Sequence, residues 1–304
     1  MGFLVLGPIL LLTGYAHKGD RHFDHFTYYC GAKVGKLYSW AMPLALLLIM
    51  SVLISAAGAA LNEYYGIDKH IGSACMSLCV LTVYIIGFER LVKLVSVIGP
   101  LIIAFVLSVG VLTVACDYGS FSAIADYEDV LVPAQAAPSF ALSAVLYLSL
   151  NFLTASTYYT AVGRSAHDRK EALWGAVLGS IIFVLALGLI NTGILLNAQD
   201  ASAMAIPMLY LAKRLSLAFG GIFSIVLVLG MFCSSSTTMW SICSRFFVYE
   251  PRANRLFAVA ITLVTFILGL FSFSKLVSII FPLVGYMGVV YIARVLWKWR
   301  GCKE

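Results

Sequence analysis

Apolar residues along this chain come in long runs rather than in alternation. Nine stretches, at residues 1–16, 38–61, 71–87, 95–116, 139–161, 172–196, 218–243, 254–271 and 276–297, are hydrophobic around the whole helical circumference and are separated by more polar connections. Crossing a hydrocarbon core of about 30 Å takes on the order of 20 apolar residues as helix, because lipid offers no partner to a backbone N–H or C=O. The missing period-two alternation argues against a transmembrane β-barrel. The pattern therefore predicts an all-α integral membrane protein of about nine transmembrane helices. Its first stretch, at ~1.5 Å of rise per residue, reaches only about 24 Å and is too short to span comfortably.

Composition agrees. Hydrophobic residues make up 62% of the 304 positions and Asp, Glu, Lys and Arg only 11%, against about 45–50% and 25% in soluble domains. The net charge of +6 does not point to nucleic acid, since in a membrane protein the side on which charge lies matters more than its sum. If the C-terminus is cytoplasmic and the nine stretches alternate, 16 of the 20 basic residues fall inside, and only Lys69, Lys213, Arg214 and Lys275 fall outside. The positive-inside rule thus predicts a multi-pass protein of the cell membrane with a cytoplasmic tail. Trp40, Trp174, Trp240, Trp297 and Trp299 lie near the same predicted cytoplasmic ends, where an indole favours the headgroup region. The connection with Asp117, Asp126, Glu128 and Asp129 faces out and holds no basic residue.

The chain also repeats itself. Lys93-Leu94-Val95-Ser96-Val97-Ile98-Gly99-Pro100-Leu101 and Lys275-Leu276-Val277-Ser278-Ile279-Ile280-Phe281-Pro282-Leu283 match at seven of nine positions with an offset of 182. The same offset brings the connections 17–37 and 197–217 into register, each 21 residues long. The two copies lie five helices apart, an odd number, so they would cross in opposite senses, as in an inverted-topology repeat. Stretch 139–161 has no first-copy partner. The expectation is a five-plus-five architecture lacking its broken first helix: an incomplete first repeat over 1–116, an extracellular connection over 117–138, and a second repeat over 139–304.

Ser55-Ala56-Ala57-Gly58-Ala59-Ala60-Leu61-Asn62-Glu63-Tyr64-Tyr65-Gly66-Ile67, Leu148-Ser149-Leu150-Asn151 and Ile206-Pro207-Met208-Leu209-Tyr210 resemble the YkvI-like membrane proteins. That family looks like a branch of the amino acid, polyamine and organocation transporter superfamily, with the LeuT-type fold. The resemblance implies a binding place partly built by a first helix with a glycine-rich segment followed by Gln-Glu, to which nothing here corresponds.

In a five-plus-five repeat, solute and ions bind near the midplane where helices unwind. Ser149, Asn151 and Thr154 sit at the middle of stretch 139–161. The amide of Asn151 has donors and an acceptor for a zwitterionic solute, or equally for an interhelical hydrogen bond. A break in this helix is assumed, with no Gly or Pro before Gly163 to mark it. The hydroxyl run Ser234 to Thr238 offers oxygen ligands to a cation; by resemblance to LeuT-type sodium symporters Ser234, Ser235 and Thr238 would serve, while close helix packing explains small hydroxyl residues as well. Ser51 and Ser55, spaced i, i+4 with Gly58 beyond, occupy the repeat-related place and fit a cavity wall or a tight helix contact.

No Asp, Glu, Lys, Arg or His falls in the middle of a predicted helix, so a proton path would need a carboxylate in the absent segment or at a flank such as Glu63. His22 and His25, with Asp20 and Asp24, belong to a connection read as solvated, and no metal site is expected there. The seven cysteines lack C-x-x-C spacing and read as small buried residues, with Cys30 in a loop. No catalytic constellation occurs, so no enzyme is predicted and no cofactor beyond a coupling Na+ or H+. The segment 201–215, with Pro207 and then Lys213 and Arg214, predicts an amphipathic helix capping the outer vestibule or lying in the lipid interface. The function implied is a secondary transporter, or a shortened form of one, for a small polar solute such as an amino acid; the alternatives are a receptor or a structural subunit on the same scaffold. Oligomeric state is open.

Overall fold

The computed structural model describes residues 2–20, 23–119, 121, 124, 137–202, 204, 206–244, 246, 251–271 and 273–301. All regular structure among them is helical: α1 (Gly2–Ala16), α2 (His25–Tyr65), α3 (Lys69–Ile86), α4 (Phe88–Cys116), α5 (Phe140–Ser165), α6 (Arg169–Leu196), α7 (Ala198–Ala201), α8 (Pro207–Leu215), α9 (Leu217–Cys243), α10 (Pro251–Gly269) and α11 (Phe273–Gly301). Eight are long and apolar enough to cross a bilayer, and α1 is a shorter apolar helix. The chain is an all-α, multi-pass membrane protein. Of the predicted features, His22 and the acidic Asp126, Glu128 and Asp129 lie outside the described residues.

The later part of the connection 17–37 is helical from His25 on. Asp24 accepts hydrogen bonds from the Phe26 amide (3.3 Å), the Thr27 hydroxyl (2.9 Å) and the Ser39 hydroxyl (2.6 Å), so helix starts at His25, and Cys30 lies on it rather than in a loop. Gly31 then breaks the helix at φ 78, ψ 170, a conformation that essentially only glycine adopts. The chain turns back on itself there: a Cβ on Gly35 would meet the Phe26 carbonyl oxygen and the Thr27 amide at 2.7 Å. Pattern reading missed this because the turn is set by one glycine and one capping carboxylate, neither of which changes hydropathy.

Element starts recur at the offset of 182. The start of α2 shifted by 182 falls on Pro207, the first residue of α8, and the start of α3 falls on Pro251, the first of α10. Helices α4 and α11 are both 29 residues long and carry the internal Pro100 and Pro282.

The chain forms two compact units. Unit 1 takes Met1–Ile49, Ala136–Phe183 and Ser278–Glu304. Its axis is the contact between α1 and α5. A Cβ on Gly163 would lie 2.9 Å from the carbonyl carbon of Leu11 and closer to its oxygen; one on Gly14 would meet Thr160 in the same way. Small residues here let two backbones touch, the usual device of helix association in lipid. Gly288 of α11 does likewise against Ser149, whose carbonyl carbon would lie 2.6 Å from an added Cβ.

Unit 2 takes Met50–Gln135 and Val184–Val277. Its core joins Ala60, Val109, Leu209, Leu211, Ala212 and Phe223, so the apolar face of α8 packs on protein rather than on lipid, with Pro207 at its first turn. At this end the Arg214 guanidinium grips Asp117 through two nitrogens (3.0 and 3.1 Å), and the Asn197 amide donates to the same carboxylate (2.8 Å). Burial and the Asp200 carboxylate, which accepts its hydrogen bond at 3.0 Å, push the Tyr210 phenol up. Gly58 meets the start of α3, where a Cβ would lie 3.3 Å from the carbonyl carbon of Lys69 and closer to its oxygen.

Candidate functional site

Helix α5 carries the highest concentration of polar side chains among the spanning helices of unit 1, and it sorts them onto two faces. One face is buried: Ser149, Ser156 and Thr160, at spacings of seven and four that repeat about every two turns and one turn. It packs on α11 through Gly288 and on α1 through Gly14. The Ser149 hydroxyl has no hydrogen-bond partner in this packing. The other face carries Tyr147, Asn151, Thr154 and Tyr158, all partly exposed. These four side chains form a polar stripe along an otherwise apolar helix.

Asn151 donates from Nδ2 to the Tyr147 carbonyl at 2.8 Å, and Thr154 donates to the carbonyls of Leu150 (2.8 Å) and Asn151 (3.1 Å). Both thus turn a hydrogen to carbonyls of their own helix. The assumed break is not there: α5 is helical throughout Phe140–Ser165, and its mid-helix carbonyls remain within the ladder. With no Gly or Pro before Gly163, nothing in the local chemistry opens it.

The other predicted site residues belong to unit 2. Ser51 and Ser55 are buried, and Ser55 donates to the Phe271 carbonyl at 3.0 Å. On α9, Ser234 is exposed and its carbonyl accepts from Thr237 (2.9 Å) and Thr238 (2.8 Å). Ser235 and Ser236 are turned the other way, buried, with no partner for either hydroxyl. The run thus divides: Ser234 and Ser235 do not share a face. Among the described residues no group of three or more His, Cys, Asp or Glu side chains could hold a metal ion.

His25 corrects the sequence reading. It is not a solvated loop residue but 3% exposed, with Nε2 3.1 Å from the Ser156 hydroxyl oxygen. Around it, the Phe26 ring stacks on Tyr38, and Tyr291, wholly buried, meets the rings of His25, Phe26 and Tyr29. The Tyr38 hydroxyl donates to the Met287 carbonyl at 2.6 Å, and Tyr29 and Thr13 share a hydrogen bond. His25 and Ser156 stand 131 residues apart, so no local motif announces them.

Sequence comparison then supplies a relative. Over 296 residues the chain is 23% identical to a protein of Bacillus subtilis (strain 168) named "uncharacterized membrane protein YkvI", covering 97% of this chain and 83% of that one. This chain is similar to YkvI. No protein-family model matches it. The likeness to YkvI extends across both units, and it supports a YkvI-like membrane protein.

Proposed function

We propose that the protein is a secondary transporter for a small polar solute such as an amino acid, working by alternating access between two antiparallel copies of one five-helix unit. The single observation that carries this reading is the partly exposed polar stripe on α5, Tyr147, Asn151, Thr154 and Tyr158, inside an apolar spanning helix. The recurrence of element starts at 182 residues supports the two copies, and the predicted split of basic residues supports their opposite sense. In this reading Asn151 and Thr154 contact the solute, with Ser149 behind them, while Ser51 and Ser55 lie on the helix that is repeat-related to α9. Ser234, Ser235 and Thr238 offer oxygens to a coupling cation, and Lys213 and Arg214 lie on the extracellular side.

Reconstitution into liposomes and counterflow against a panel of radiolabelled amino acids tests it. Exchange of at least one solute, reduced about tenfold or more by Asn151→Ala with expression intact, is the expected result. The unbroken α5 favours a second reading, a receptor on the same scaffold, because transporters of this design unwind the helix at their site. Saturable binding without flux selects that reading instead.

A further inference from the structure

We propose that one face of α2, formed by Lys33, Lys36, Leu37, Trp40 and Leu44, holds a phospholipid with an anionic headgroup, its phosphate at the two lysines and an acyl chain along the leucines. This face seats a lipid whether or not a solute is carried.

Helical spacing sets the face. Residues 33, 36, 37, 40 and 44 fall at i, i+3, i+4, i+7 and i+11, within about 100° of arc. All five are exposed, Leu37 at 68%, Trp40 at 67% and Leu44 at 63%. About half a turn round, Tyr38, Met42, Ala45 and Leu46 are buried, so α2 gives that side to the protein and this one to its surroundings. At ~1.5 Å of rise per residue, Lys36 to Trp40 is about 6 Å and Lys33 to Leu44 about 17 Å. Charge, indole and aliphatic side chain thus follow in the order in which a phospholipid presents phosphate, glycerol ester and acyl chain.

Charge decides which lipid. Among the described residues neither lysine takes part in an ion pair or a side-chain hydrogen bond. Asp24, whose carboxylate reaches this helix through the Ser39 hydroxyl at 2.6 Å, also accepts from the Phe26 amide and the Thr27 hydroxyl and pairs with neither lysine. The helix restarts after Gly31, which places Lys33 in a first turn, where the helix dipole adds to its positive charge. The start of α6 offers a comparison in the same unit. Lys170, Trp174 and Leu178 repeat the order of charge, indole and aliphatic chain at spacings of four, with Trp174 59% and Leu178 53% exposed. There Asp168 and Glu171 flank Arg169 and Lys170, and the four charges cancel. The α6 stripe therefore suits a lipid of any headgroup, whereas two uncompensated charges make the α2 face select an anionic one.

The test places the whole protein in nanodiscs of phosphatidylglycerol and phosphatidylcholine in equal parts, with bromine on the acyl chains of one lipid or the other to quench tryptophan fluorescence. The share of Trp40 is the difference between wild type and Trp40→Phe. One lysine at a headgroup favours an anionic lipid by about fivefold, so brominated phosphatidylglycerol is expected to quench Trp40 severalfold more than brominated phosphatidylcholine does. The excess shrinks as salt is raised. It disappears in Lys33→Gln/Lys36→Gln and persists in Lys33→Arg/Lys36→Arg, both checked for a wild-type unfolding temperature. Removing the same charge from α6 with Arg169→Gln/Lys170→Gln leaves it in place. Equal quenching of Trp40 by the two lipids in wild type means ordinary annular contact and overturns the proposal. An excess that survives Lys33→Gln/Lys36→Gln, or that Arg169→Gln/Lys170→Gln abolishes, overturns it as well. Quenching by neither lipid would show that another protein surface covers Trp40, and no lipid seat would then remain.

Discussion

Replacing Gly163 by alanine drives a methyl group into the backbone of α1. The added Cβ would sit 2.9 Å from the Leu11 carbonyl carbon, 3.0 Å from its Cα and nearer still to the oxygen, and none of these atoms is the far end of a flexible side chain. The two helices must part by about 1 Å to restore ordinary contact, which forfeits a quarter to a half of the attraction of each atom pair at the crossing. Overpacking of this kind costs up to about 3 kcal/mol, and the better helix propensity of alanine returns about 1 kcal/mol. The net loss is about 2 kcal/mol, a factor of about 30 in the folding equilibrium. Gly179, on α6, has nothing within 4 Å of an added Cβ, so Gly179→Ala keeps only the propensity gain. Thermal unfolding in detergent, followed with a thiol-reactive dye, reads both: Cys30, Cys233 and Cys243 are buried and react on unfolding, above the background of exposed thiols. Gly163→Ala is expected to unfold well below wild type and Gly179→Ala at or slightly above it. Because Gly14 and Gly163 relieve the same helix pair, the double alanine variant costs less than the two single ones together. Equal unfolding temperatures for Gly163→Ala and Gly179→Ala would show that α1 and α5 do not touch through these glycines.

Three further expectations concern other joints of the fold. Gly31→Ala forces a side chain into a glycine-only conformation (φ 78) and should destabilise by about 1–3 kcal/mol; an unfolding temperature equal to wild type would deny the hinge. Asp117→Asn and Arg214→Gln should each cost about 1 kcal/mol or less, since the Arg214 side chain is 48% exposed and solvent screens the pair. A double-mutant cycle on thermal unfolding should return a positive coupling energy that shrinks as salt is raised, and zero coupling at low salt would dissolve the latch. Ser55→Ala removes the hydrogen bond to the Phe271 carbonyl and should cost about 1 kcal/mol, measured by the same unfolding assay, whereas no loss would mean that the carbonyl finds another donor.

How much of this protein could be read from its sequence divides along physical lines. Hydrophobic runs are a one-dimensional property, and lipid enforces helix on any such run, so the spanning helices and even the recurrence at 182 residues were present in the order of residue types. The amphipathic helix at Pro207 was legible for the same reason, since proline and the facing of charges act locally. What the sequence did not disclose depended on distance. The short helix 25–30 was hidden because its cap and its hinge are single polar or achiral residues at Asp24 and Gly31. The division of Ser234 from Ser235 needed the rotation of α9 about its axis, and the unbroken middle of α5 needed the actual backbone. Only tertiary structure could bring His25 to Ser156, or seat Gly163 on Leu11, because such pairings are fixed by which helices lie side by side. Hydropathy determines that a helix crosses the membrane; steric fit between backbones determines which helix it crosses beside.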